Sequence, residues 1–144
     1  VRLDDRHPLV LLIEEDPLLG LDVGEALAEA GYRVAGPLRN HDEALAWVAR
    51  RRPDLAVVDG PVLSRDGGRL ARALTARGVP FLVHAAIPVD VSLPAPPDAG
   101  RGRDAAACAA LRAAPRLTKP AWPGDLVHVL GQLLPGQFSR EARP

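Results

Sequence analysis

Short apolar runs alternate along this chain with longer stretches in which apolar residues recur every three or four positions. Leu9 to Ile13 ("LVLLI") is continuously apolar, the pattern of a strand buried on both faces of a parallel sheet. It stops at Glu14-Glu15-Asp16-Pro17. Asp16 followed by Pro17 predicts a helix start, with the aspartate as cap and the proline in the first helical position. Leu19, Val23, Leu27 and Ala30 then share one face, and Gly31 ends the helix. Tyr32 to Ala35 predicts a second strand, closed by Gly36-Pro37. Asn40 and Glu43 form a capping-box pair ahead of a helix that turns Ala44, Leu45 and Val48 inward. Leu55 to Val58 predicts a third buried strand ending at Asp59. A loop through Asp66-Gly67-Gly68 is expected to lead into a helix bearing Leu70, Ala73 and Leu74, stopped by Gly78, with Val79 to Val83 as the fourth strand.

The rhythm then breaks. Residues 86–102 contain Pro88, Pro94, Pro96 and Pro97 and read as a proline-rich surface insertion, unusually long for a loop inside a compact domain. Arg103 to Ala114 predicts an alanine-rich helix with few large anchors, Arg116 to Thr118 a short fifth strand, and residues 124–134 a last helix presenting Leu126, Val127, Leu130, Leu133 and Leu134. Residues 135–144 are expected to form a flexible tail. Strands alternating with helices at this spacing imply an α/β fold, a doubly wound five-stranded parallel sheet with helices on both faces. The whole chain, 1–144, reads as one domain with a core over about 9–134.

Composition narrows the function. The 144 residues are 47% apolar, which suits a globular protein. No run reaches membrane-spanning length, and the start lacks a basic segment followed by a long apolar one. One cysteine, Cys108, excludes an internal disulfide and suits a reducing compartment, so a cytoplasmic location is expected. Basic and acidic residues balance at 18 each. Arg50-Arg51-Arg52, the densest basic cluster, reads as a solvated helix end opposing the helix dipole, and with five aromatic residues no nucleic-acid surface is expected. Lys119 is the only lysine among the 18 basic residues, which marks it for a role the forked guanidinium cannot fill.

Parallel strands bring their carboxyl ends to one edge, where ligands of such sheets gather. Here those ends carry Glu14-Glu15, Asp59, His84-Ala85 and Lys119. Crowded carboxylates repel one another unless a cation compensates, and a hard cation such as Mg²⁺ suits oxygen ligands. Glu-Glu-Asp after the first strand would repel a nucleotide phosphate, and no glycine-rich fingerprint is present. Asp59 can act as a nucleophile towards a phosphoryl donor, forming an acyl phosphate. Metal and Lys119 would neutralise the phosphoryl oxygens.

The ordered motifs "LLIEEDPLL", "RRPDLAVVDG", "GVPFLVHA" and "LTKPA" resemble the receiver domains of two-component response regulators over about Leu9 to Leu134. The resemblance implies a flavodoxin-like fold and a phosphorelay signalling role without enzymatic activity of the ordinary kind. It implies Asp59 as phosphoacceptor, Lys119 as its lysine, and Mg²⁺ held by Glu14, Glu15, Asp59 and the Pro61 backbone carbonyl. It also implies a histidine kinase or phosphotransfer protein as donor, with output through a downstream protein partner or a homodimer. Several positions depart from the family pattern. Glu15 replaces an aspartate and reaches about 1.5 Å further, which weakens an octahedral Mg²⁺ site. Ala85 replaces a hydroxyl residue, and Arg116 replaces an aromatic or apolar switch residue. His84 points away from Ala85 by strand alternation and reads as a partly buried polar residue. The alternative is a degenerate receiver, acting as a phosphorylation-independent protein-interaction module.

Overall fold

The computed structural model describes residues 7–86 and 102–134. Five strands, β1 (Leu9–Ile13), β2 (Arg33–Leu38), β3 (Leu55–Asp59), β4 (Phe81–Ala85) and β5 (Arg116–Thr118), alternate with five helices. These are α1 (Pro17–Glu29), α2 (His41–Arg50), α3 (Gly60–Ala76), α4 (Gly102–Ala113) and α5 (Pro123–Leu133). All strand pairs are parallel and the sheet order is β2-β1-β3-β4-β5. The expected doubly wound α/β architecture is therefore present. The proline-rich insertion, apart from its ends, and the tail at 135–144 lie outside the described residues.

Side-chain alternation divides the core. Leu11, Ile13, Ala56, Val58 and Val83 point to one face, where Ala44, Val48, Val62, Leu63, Leu70, Leu74, Ala107 and Leu111 of α2, α3 and α4 cover them. Val10, Leu12, Leu55, Val57 and Leu82 point to the other, against Val23 and Leu27 of α1 and Leu126 and Leu130 of α5. Strands covered on both sides have no solvated face, which is why β1 and β3 read as unbroken apolar runs. At the far edge of the sheet from the carboxylates, Asp54 pins β1 by accepting the Leu9 N–H at 2.7 Å while its own N–H donates to the Leu9 carbonyl.

The predicted starts of α1 and α2 are made as expected. Asp16 Oδ1 accepts the N–H groups of Leu18 and Leu19. Asn40 Oδ1 accepts the Glu43 N–H at 2.9 Å, but the Glu43 carboxylate reaches back to the N–H of Arg39 instead of that of Asn40. The arginine cluster does more than face water. Arg52 donates to the carbonyls of Arg77 and Gly78 at the end of α3, and Arg77 donates to the Ala49 carbonyl near the end of α2. Each thus satisfies carbonyls that a helix terminus leaves without intrahelical partners.

Three boundaries differ from the sequence expectation. β2 does not close at Gly36-Pro37 but runs on to Leu38, whose carbonyl accepts the Glu14 N–H. As the edge strand it tolerates a proline, and the register shifts between Leu11 and Ile13 to absorb the irregularity. β4 lies two residues later than expected, so His84 and Ala85 are its last two residues. The largest change is α3, which begins directly after Asp59 where a loop was expected. Pro61 sits in its first turn, where a fixed φ favours helix, and Val62 and Leu63 are fully buried, drawing that turn onto the sheet.

Candidate functional site

Sheet order reverses beside β1, with β2 on one side and β3 on the other, so the crevice for a ligand opens at the carboxyl ends of β1 and β3. Register sets the side chains there. Ile13 is paired with Val58, which places Glu14 one step on, beside Asp59, and Asp59 is paired with His84. Leu12, Val57 and Leu82 point towards α1 and α5. By alternation Glu14, Asp59 and His84 lie on that same face, and Leu117 brings Lys119 to it from β5.

Lys119 is the hub. Its Nζ lies 2.6 Å from Glu14 Oε1 and 3.0 Å from Asp59 Oδ1. Its backbone N–H donates to the Ala85 carbonyl, which fixes the start of the β5–α5 turn. Glu14 and Asp59 are both buried. Burial raises the Glu14 pKa, helped by the negative charge of Asp59 and opposed by the hydrogen bond from Lys119. For Lys119, burial works against the ammonium, but the hydrogen bonds to Glu14 and Asp59 outweigh it and the pKa rises. The amine is thus a firm cation between two carboxylates.

His84 is more buried than the sequence indicates, at 1% exposure. Its Nδ1 is 4.0 Å from Glu14 Oε1, and its Nε2 has no hydrogen-bond partner among the described residues. Burial, reinforced by the Lys119 charge, lowers its pKa to about 4, so the ring is neutral at pH 7. Strand alternation does turn it away from Ala85, and that direction is the carboxylate face.

The remaining expected positions fall elsewhere. Glu15 is half-exposed and turned outward, with Oε1 3.0 Å from the Arg65 guanidinium. Arg65 was invisible as a site residue in the sequence, because it reaches the end of β1 only if helix begins at Gly60. Pro61 belongs to the first turn of α3. Ala85 is buried against Gly60, where an added Cβ would lie 3.0 Å from the Ala85 Cβ. Arg116 is exposed and donates to the Leu111 carbonyl of α4.

Among the described residues no group of three His, Cys, Asp or Glu side chains is arranged to hold a metal ion. The carboxylates expected to bind Mg²⁺ are already engaged, two by Lys119 and one by Arg65. In this arrangement they do not form a cation cage.

No family model matches the chain. A 74-residue segment, 51% of the chain, is 30% identical to the transcriptional regulatory protein PdtaR of Mycobacterium tuberculosis, of which it spans 36%, about a third. Solved receiver domains superpose over most of the chain. That of a signal transduction histidine kinase from Syntrophus aciditrophicus has a TM-score of 0.63 at 26% identity, covering 90% of this chain and 91% of that one. That of a sensor histidine kinase from Pseudomonas aeruginosa, with magnesium coordinated in its active-site cleft, has a TM-score of 0.63 at 25% identity, covering 89% and 98%. Sheet order and flanking helices are those of these receiver domains. In fold and over most of its length the chain is similar to receiver domains of the response-regulator kind. No described helix is long and apolar enough to cross a membrane.

Proposed function

We propose that this domain accepts a phosphoryl group on Asp59 and passes the change to a protein partner. The observation that carries the reading is the Lys119 amine held between Glu14 and Asp59. An Asp59 carboxylate oxygen attacks phosphorus, the bond from phosphorus to the donor's nitrogen or oxygen breaks, and the electron pair leaves with the donor. Lys119, 3.0 Å from Asp59 Oδ1, stabilises charge on the incoming phosphoryl oxygens. The donor class is a phosphohistidine of a kinase or phosphotransfer protein, or a small acyl phosphate. Glu14, Glu15, Asp59 and the Pro61 carbonyl remain the proposed Mg²⁺ ligands, and Glu15 and Lys119 must first release their present contacts. A cytoplasmic location belongs to the same proposal. Leu18, Leu21 and Trp122 are exposed, and a groove of about 390 Å³ is lined by Leu19, Asp22, Val23, Trp122 and Leu126. That apolar surface supports partner docking.

The test is incubation with acetyl phosphate and Mg²⁺ followed by intact mass. The expected result is a single phosphoryl adduct that is absent from Asp59→Asn. The second reading, a phosphorylation-independent interaction module, is favoured by Ala85, which offers no hydroxyl beside the acceptor, and by the burial of Asp59. An unchanged mass across donors and metal concentrations selects it.

A further inference from the structure

Glu15 and Arg65 are fifty residues apart in sequence, yet their side chains meet at 3.0 Å at the surface, one residue on from Glu14. The contact depends on α3 starting at Gly60, which places Arg65 in the second turn, alongside the end of β1. It also depends on the longer side chain of Glu15, which carries its carboxylate outward. Three carboxylates at this edge, Glu14, Glu15 and Asp59, are met by two cations of the chain itself: Lys119 takes the buried pair and Arg65 the exposed one. A guanidinium cannot be deprotonated in proteins, so the second of these charges is permanent.

We propose that Arg65 is a built-in counter-ion that holds Glu15 in place of a divalent cation, so that Mg²⁺ must displace it to reach the acidic pair. The inference rests on the reading of this edge as a phosphoryl-transfer site, and it concerns only what Arg65 does there. Both side chains are close to half-exposed, at 45% and 43%, so water and salt screen the pair. Its removal is expected to tighten Mg²⁺ binding by about two- to fivefold.

The experiment is calorimetric titration of the whole chain with Mg²⁺ at low ionic strength, comparing wild type with Arg65→Ala and Arg65→Lys. Arg65→Ala should bind about two- to fivefold more tightly, Arg65→Lys should remain near wild type, and added salt should narrow the gap. Repeating the pair in a Glu15→Gln background separates a direct contact from a general change in charge, because there Arg65→Ala should lose most of its effect. Circular dichroism checks that the variants keep their fold. Equal or weaker Mg²⁺ affinity in Arg65→Ala overturns the inference. If acetyl phosphate still labels Asp59 in that case, only the role of Arg65 falls. If neither protein binds Mg²⁺ and neither is labelled, the phosphoacceptor reading falls with it.

Discussion

Burying a histidine beside a lysine fixes the sign of one pH response. His84 titrates near 4 in the folded chain against an ordinary value of 6.5. Between those values the unfolded chain binds the proton and the folded chain does not, so stability falls as pH drops from about 6.5 towards 4. At about 1.4 kcal/mol per pKa unit the full effect is on the order of 3 kcal/mol. Glu14 opposes it: a raised carboxyl pKa means that folding disfavours its charge, and protonation relieves that cost on acidification. His84→Leu removes the first contribution and leaves the second, while filling the site with an apolar side chain. Urea unfolding measured from pH 7 to pH 4 should show a shallower loss of stability for His84→Leu than for wild type, by up to about 3 kcal/mol at the acid end. Equal slopes would mean that the ring is not the group being titrated.

At the scale of elements, the tightest fit is where α1 crosses the β1–β2 edge. A Cβ on Gly20 would lie 2.9 Å from the Pro37 Cβ, and one on Gly36 would lie 2.5 Å from the Leu12 carbonyl oxygen. Gly36 also has φ +111, a region closed to side chains. Gly36→Ala should therefore cost about 2–4 kcal/mol from strain and overpacking together, read as a lower urea midpoint with an unchanged slope. These same residues show what a sequence conveys. β1 and β3, the Asp16 and Asn40 caps and the sheet class follow from apolar runs and capping chemistry, because those signals are local. The extension of β2 past Gly36-Pro37 does not, since it depends on pairing with β1. Nor does the start of α3. The Asp66-Gly67-Gly68 signal reflects a real feature, a left-handed Gly68 at φ 82, but burial of Val62 and Leu63 holds the preceding turns helical. Asp59 and Lys119 stood out as chemistry-bearing types at strand ends. The partners of His84 and Arg65 required the third dimension.

Across the whole molecule, Lys119 joins the weakest strand to the strongest. Every residue of β3 is buried, whereas β5 has three residues, two of them exposed. Lys119 follows directly on β5, and its ammonium spans to the ends of β3 and β1. Its removal leaves two carboxylates buried side by side without a cation, the situation in which breaking a buried ion pair costs about 3–5 kcal/mol. Lys119→Met keeps the length of the side chain and discards the charge. It should lower stability at pH 7 by about that amount and accelerate amide exchange in β5 more than in β1 or β3. The sign of the pH response follows from Glu14. With the lysine gone, the hydrogen bond that had been lowering the Glu14 pKa is lost, so the carboxyl protonates more readily and the deficit should shrink as pH falls from 7 towards 5. Adding Asp59→Asn removes the neighbouring charge and should recover part of the loss at pH 7, a non-additivity expected only if the three groups act as one cluster. Strict additivity of the two substitutions, measured by urea unfolding at pH 7, would show that the three groups do not act as one charge cluster.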